Sequence, residues 1–293
     1  MIVGIGLATA LVVIYGVATL ILTYVAHQYP RRPVNDRPDW GTVESRRIQT
    51  VDGRELEVWR VLPDGPSRGV VLLAHGWSRN RDRMVQRARI FGQMGFTTVM
   101  HSARDHGRSS PCKWMSAAKF AEDIQAVMQW IGQPVILYGH SAGAAGAAIA
   151  AARQANSICL LFLEGCYPRS REALLRLYYW IHPLFGLLFG RAILFWMEII
   201  YHGRVRQTDP ARQADGLRMP VMLIHGEHDR RFPLSFARRL QAHFKPGQAT
   251  LFVGRGAGHS NSSQSPGYDA AVRKFVETHW RPGTNGRPPD DRC

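Results

Sequence analysis

The chain has 293 residues, 45% hydrophobic and 20% charged, an ordinary balance for one main globular domain that buries a full core. Lys+Arg total 37 against 22 Asp+Glu, a formal net charge of +15 that is nearly all arginine, since only Lys113, Lys119, Lys245 and Lys274 are lysines. The charge is spread along the chain with no basic-aromatic ladder or nucleic-acid module, which argues against nucleic acid and for an anionic membrane as partner. Cys112, Cys159, Cys166 and Cys293 fall at irregular spacings with no C-x-x-C, so neither a zinc site nor a disulfide framework is expected. Reduced thiols fit a cytosolic compartment.

Residues 1–26 open the chain with an apolar run, Ile2 to Ala26, that carries no charge and is long enough to cross a hydrocarbon core as one helix. It reads as a transmembrane anchor. A cleaved signal peptide is the competing reading, but no Lys or Arg precedes the run, it is too long, and Tyr24 is bulky where a cleavage motif needs a small residue. Arg31, Arg32 and Arg37, then Arg46 and Arg47, follow it, so the amino terminus is expected outside and the domain in the cytoplasm. Residues 27–45, punctuated by Pro30, Pro33 and Pro38, read as an extended linker.

From residue 46 the pattern becomes one of short strands and helices. Arg47 to Val51 and Glu55 to Val61 form a hairpin through Asp52-Gly53. Apolar strands Gly69 to Ala74, Thr97 to Met100, Pro134 to Tyr138, Ile158 to Leu163, Val221 to Ile224 and Thr250 to Val253 alternate with helices at Arg83 to Met94, Ala117 to Ile131, Leu234 to His243 and Tyr268 to His279. This alternation predicts an α/β fold, a mostly parallel central sheet flanked by helices. Residues 167–216, rich in Leu, Phe, Tyr, Trp and Ile, are too long for a simple connection and read as a helical lid. Tyr178 to Ile200 is almost long enough to span a membrane, but one crossing there would separate residues that must meet, so a lid touching the membrane surface is expected. A helical insertion packed as core is the alternative. Residues 281–293 are Pro-, Gly- and Asp-rich and read as a disordered tail.

The stretch that carries chemistry is Gly139-His140-Ser141-Ala142-Gly143, between a strand and a small-residue helix. A serine at such a turn faces outward, its neighbours must be small, and the helix start aims free amides at it, so Ser141 is the candidate nucleophile with Gly139 and Gly143 as the glycines of the turn. A serine needs a base, and the base needs an orienting carboxylate. His259, after the strand Thr250 to Val253, and Asp229, after Val221 to Ile224, supply them at the carboxyl edge of the sheet, where open α/β sheets form sites. The group His225, His228 and Asp229 lacks further ligands at a recurring spacing, and no metal site is expected. The glycine-rich run has neither a phosphate-loop lysine nor dinucleotide spacing, and no cofactor is expected.

The order Ser141, Asp229, His259 and its strand-loop placement resemble the α/β-hydrolase family over about residues 46–280, with His75-Gly76-Trp77-Ser78 matching the family's His-Gly-x loop. The resemblance implies an oxyanion hole at the backbone amides of Trp77 and Ala142. Glu164 is the runner-up acid, because some members carry their carboxylate there. Glu227 reads as a solvated loop charge, His140 as a packing or pocket residue, and His75 as a support for its loop. Where many members read Asp-x-Arg-Gly-His-Gly-x-Ser, this chain has Ser102-Ala103-Arg104-Asp105-His106-Gly107-Arg108-Ser109, so that loop is expected to be rewired. The expected function is a membrane-anchored serine hydrolase acting on carboxylic esters, of lipids such as a monoacylglycerol or lysophospholipid, through an acyl-enzyme on Ser141. Hydrolysis of a soluble ester, thioester or amide, or a non-catalytic membrane scaffold on the same frame, are the alternatives. Oligomeric state is not legible.

Overall fold

A computed structural model describes residues 2–28 and 31–281. The expected tail from residue 282, with Cys293, and Tyr29 and Pro30 of the expected linker lie outside the described residues. In chain order the elements are α1 (Ile2–His27), β1 (Thr42–Gln49), β2 (Glu55–Leu62), β3 (Val70–Ala74), α2 (Val85–Gln93), β4 (Thr97–His101), α3 (Ala117–Ile131), β5 (Val135–His140), α4 (Ala142–Arg153) and β6 (Ile158–Glu164). Then come α5 (Ser170–Ile181), a single turn α6 (Pro183–Phe185), a π-helical turn Gly186–Gly190, α7 (Arg191–Ile200), α8 (Pro210–Gln213), β7 (Val221–Gly226), α9 (Leu234–Gln241), β8 (Ala249–Gly254) and α10 (Tyr268–His279).

Strands buried on both faces read as unbroken apolar runs, and β3, β5 and β7 are buried at every position. They lie inside one eight-stranded sheet of order β1-β2-β4-β3-β5-β6-β7-β8, parallel from β4 to β8, with β1, β2 and β4 paired antiparallel. The two-residue period divides the core. Val70, Leu72, Leu137, Leu161 and Leu223 pack on one face with α3, α4 and α9, while Val71, Leu73, Tyr138, Phe162 and Ile224 pack on the other with α2 and α10. The shortness of its side chains lets α4 lie close to α3, with Gly146 at the crossing, where an added Cβ would meet the Phe120 Cβ at 2.7 Å.

Most strand and helix ends shift by one or two residues from the sequence expectation, and β1 shifts at both ends. β1 ends at Gln49 because Thr50 to Arg54 close the turn, the Thr50 amide donating to the Arg54 carbonyl at 2.7 Å. It begins at Thr42, so Thr42 to Ser45, expected in the linker, pair with Leu62 to Trp59. An edge strand exposed on both faces carries polar residues at successive positions, and composition alone does not separate it from an extended linker. The rest of the expected linker is laid onto the domain. The Arg32 amide donates to the Ser78 carbonyl at 2.8 Å, Val34 and the Asn80 side chain exchange two hydrogen bonds, and Trp40 fills the space over Gly92.

Between β6 and β7 the chain forms a helical cap with a small core of its own, Tyr178, Ile193, Leu194, Met197 and Val205, against which Leu22 of α1 also packs. Among the described residues, two segments are apolar and long enough to cross a membrane by length and composition, Gly4–His27 and Pro183–Ile200. The second is broken by the π-helical turn and runs beside α1.

Candidate active site

The site forms where the sheet ends its parallel strands. β5 stops at His140, and Ser141 takes φ 56°, ψ −117°, a positive-φ backbone conformation costly for a residue with a side chain. It is held by the Ser141 amide donating to the Glu164 carbonyl at 2.8 Å, and by the Ser141 carbonyl accepting from the Ala144 and Ala145 amides at 2.9 and 3.1 Å. Close approach explains the glycines around it. A Cβ on Gly139 would meet the Gly143 carbonyl oxygen at 2.5 Å, and one on Gly143 would run into the His75 carbonyl oxygen. Gly143→Ala is therefore expected to destabilise the domain by about 1–3 kcal/mol, read as a lower urea midpoint at unchanged m-value.

Three separated loops bring Ser141, Asp229 and His259 together. The Ser141 hydroxyl lies 2.9 Å from His259 Nε2, and His259 Nδ1 lies 2.6 Å from Asp229 Oδ2. A carboxylate only accepts, so Nδ1 carries the proton and Nε2 is left to accept from the serine. Asp229 is 5% exposed, and its other oxygen accepts from the Arg231 and Phe232 amides at 2.9 and 3.0 Å. Burial by itself would raise its pKa, but hydrogen bonds from His259 and Phe232 hold it below the ordinary value, so it stays ionised beside the imidazole.

The His75-Gly76-Trp77 turn passes over the serine, since a Cβ on Gly76 would sit 3.0 Å from the Ser141 Cβ. Trp77 and Ala142 pack on one apolar cluster of Ala103, Cys112, Met115 and Phe120. Among the described residues, no protein acceptor takes the backbone amide of Trp77 or of Ala142. His75 donates from Nδ1 to the Gly76 carbonyl at 2.7 Å and accepts at Nε2 from the Ala103 amide at 3.0 Å, so both its nitrogens support loops. Burial pushes its pKa down to about 4.

Glu164 has no free oxygen for an imidazole. Arg87 pairs with both carboxylate oxygens, Tyr138 donates to one at 2.7 Å, and Tyr138 in turn meets Tyr268 at 2.9 Å. Burial alone would raise the Glu164 pKa, yet the Arg87 charge and these hydrogen bonds carry it down to about 2. A carboxyl depressed in the folded state stabilises it fully above its unfolded pKa, near 4.3. That stability is lost as pH falls toward 2. The expected result is an acid-side fall in unfolding free energy over about pH 4 to 2, with its proton uptake removed in Glu164→Gln.

The same network reaches the histidine loop, which sequence reasoning missed. Arg83 Nη2 donates to the Ser260 carbonyl at 2.7 Å, Arg87 Nη2 reaches it at 3.2 Å, and His140 Nε2 donates to the His259 carbonyl at 3.0 Å. Burial lowers the His140 pKa to about 3, so it is a neutral donor. The available signal was an arginine, Arg87, set among the apolar positions Val85, Ala88 and Phe91 of α2.

The loop after β4 is rewired as expected. Ser102 stands where the resemblance wants an acid, and its hydroxyl donates to Glu57 of β2 at 2.7 Å, a carboxylate that also accepts from the Arg108 amide at 2.9 Å. Asp105, φ 62°, pairs with Arg31 from the segment after α1. The His225 and His228 pair does not converge: His225 Nε2 donates to the Phe232 carbonyl at 2.8 Å, while the His228 side chain is 70% exposed. The Glu227 carboxylate accepts from the Gly256 amide at 3.0 Å at the surface.

A mostly parallel sheet with a serine on a strained strand-to-helix turn, ordered before its acid and its histidine, defines an α/β hydrolase, and the chain belongs to the α/β-hydrolase family. The family model described as serine aminopeptidase, S33, matches residues 65–194, and that described as TAP-like protein matches residues 197–288. The chain is similar to a monoacylglycerol lipase of Mycolicibacterium smegmatis, 24% identical over 63% of this chain and 78% of the relative. Among solved structures it resembles the Pyrococcus furiosus esterase Pf2001, with TM-score 0.67 and 18% identity over 85% of this chain and 98% of the other. It also resembles a thermophilic esterase of Thermogutta terrifontis, with TM-score 0.59 and 19% identity over 81% and 100% of the two chains.

Proposed function

We propose that the chain is a serine hydrolase that cleaves carboxylic esters of lipids, of the monoacylglycerol or lysophospholipid kind, while anchored in a membrane by α1. The observation that carries the chemistry is the continuous chain Ser141 Oγ, His259 Nε2, His259 Nδ1, Asp229 Oδ2, at 2.9 and 2.6 Å, ending beside two backbone amides that have no protein acceptor among the described residues. His259 takes the hydroxyl proton as the Ser141 oxygen bonds to the ester carbonyl carbon. The carbonyl oxygen becomes an oxyanion, received by the Trp77 and Ala142 amides at the start of α4. His259 then returns the proton to the leaving alkoxide as the C–O bond breaks. In the second half a water gives its proton to His259, attacks the acyl carbon, and the acid departs with Ser141 reprotonated. Asp229 holds the tautomer and stabilises the charged imidazole.

Esters are favoured because the monoacylglycerol lipase and the two esterases above are named for that bond. A lipid substrate is favoured by the exposed apolar side chains of the cap and of α1, among them Trp180, Leu187 and Phe195. Arginines after α1 favour a cytoplasmic domain. The test is fluorophosphonate labelling of the detergent-solubilised protein with peptide mapping, alongside hydrolysis of a short and a long acyl ester. Label on Ser141 that disappears in His259→Ala, with the long ester preferred, is the expected result. Folded protein that neither labels nor turns over either ester would leave a membrane scaffold on a hydrolase frame as the better reading.

A further inference from the structure

Four polar residues of the first helix fall on one stripe. Tyr15, Thr19, Thr23 and His27 recur every fourth position and so share a face. Thr19, Thr23 and His27 are 1%, 0% and 5% exposed, while Ile14, Val17, Ile21 and Val25 on the other faces stand open. The stripe is turned to the cap. The Tyr15 hydroxyl donates to the Leu188 carbonyl at 2.5 Å, within the π-helical turn. Trp196 Nε1 donates to the Thr19 hydroxyl at 2.9 Å, and the Tyr201 hydroxyl lies 2.9 Å from His27 Nε2. Tyr15 also stacks on Phe189, with ring centroids 6.3 Å apart. These ties ascend α1 and α7 in step, so the two helices run alongside each other in the same direction.

The cap is a hairpin whose feet are joined. At its base the Ser170 amide donates to Asp209 at 2.7 Å and the Ser170 hydroxyl to the Thr208 carbonyl at 3.0 Å. Arg171 pairs with Glu198 at 2.8 Å across the two legs. Higher up, Gly186 lies against Tyr179 and Gly190 against Leu175, which lets the π-helical turn fold back onto α5. Above the base the exposed side chains include the apolar Trp180, Ile181, Leu184, Leu187, Leu188, Phe195 and Ile199, beside the polar Arg176, His182 and Arg191.

We propose that this hairpin, residues 170–201, is a second membrane element: it is docked along α1, enters and leaves the bilayer on one side, and meets the acyl chains of the near leaflet with its apolar face. The proposal rests on the reading of α1 as a bilayer helix. If α1 is in lipid, the cap is beside it in lipid, because the ties run from His27 to Tyr15. Those 12 residues rise about 18 Å, against about 15 Å for half of a hydrocarbon core. A full crossing is ruled out by the joined feet and by Ser141, Asp229 and His259 meeting on one side. The upper part of the hairpin carries exposed His182 and Arg191, polar groups that disfavour passage on to the far side.

The test places an environment-sensitive label (NBD) on one added cysteine at a time in full-length protein carrying Cys159→Ala and Cys293→Ser, with the buried Cys112 and Cys166 kept and the protein without an added cysteine as the labelling blank. Vesicles of phosphatidylcholine and phosphatidylglycerol carry either doxyl-labelled lipid or external iodide. Leu187→Cys reports the cap, Ile14→Cys the first helix, and Asn156→Cys the exposed loop after α4. Expected is quenching of the cap and helix labels by doxyl lipid with loss of iodide quenching, and the reverse at position 156. A helix label in lipid with a cap label open to iodide overturns the docked hairpin and leaves the anchor standing. Both labels open to iodide overturns the anchor reading, and the proposal with it.

Discussion

Ser141→Ala and His259→Ala are each expected to lower kcat for ester hydrolysis about 10⁶-fold, and the double variant no further, because the two groups act as one unit. Without the hydroxyl there is no acyl-enzyme, and without the imidazole the hydroxyl at 2.9 Å has nowhere to send its proton. Asp229→Asn is expected to cost about 10⁴-fold, since an amide can offer its NH₂ to Nδ1 and so favour the wrong tautomer. Steady-state hydrolysis of a short soluble ester, normalised to the concentration of folded protein, reads all three. Glu164→Gln is the control. Its carboxylate is committed to Arg87 and Tyr138, so it should lose far less turnover than Asp229→Asn. An equal loss would return the acid's role to Glu164.

Arg87→Met is expected to destabilise the domain by about 3–5 kcal/mol, because it leaves a buried carboxylate without its counter-charge. Arg87 is 1% exposed and Glu164 0%. Freed of the guanidinium, Glu164 is governed by burial, which raises its pKa above the unfolded value. A carboxyl raised in the folded state contributes stability that is present below its unfolded pKa and lost as pH rises through the folded one. The variant should therefore weaken as pH rises above about 4.3, opposite in sign to the parent's acid-side loss. Arg87→Met/Glu164→Leu, with both charges removed, should recover most of the deficit. Urea unfolding at pH 4.5 and 7.5 measures the set. A single variant with pH-independent stability equal to the parent would show that the pair contributes no net stabilisation.

Much of this architecture is legible in the sequence because parallel strands declare themselves as apolar runs, and the carboxyl ends of such runs in one sheet must gather at one edge. Ser141, Asp229 and His259 each follow such a run, so order and strand placement alone bring them close. What was not legible depends on contacts between distant elements. Arg83 and Arg87, one helical turn apart, show their partners only when α2 is laid against the sheet beside Glu164. Glu57 replaces a carboxylate missing from another loop only because β2 pairs with β4, placing Val58 opposite His101. The polar stripe of α1 was visible as interruptions in an apolar helix, but its period became meaningful only once the cap lay against it.

The segment that follows α1 has a mechanical consequence. Three residues separate His27 from Arg31, whose guanidinium lies over the Trp77 ring at 5.4 Å and pairs with Asp105. From there Arg32, Val34 and Trp40 are fastened to the domain in turn. By length alone, a fully extended chain of that many residues spans only about 10–15 Å. On the proposed reading of α1 as a bilayer helix, Ser141 is kept within a short reach of the lipid surface. For the proposed lipid substrate, encounters then become a two-dimensional search, governed by lipid diffusion and surface density rather than by concentration in the surrounding water.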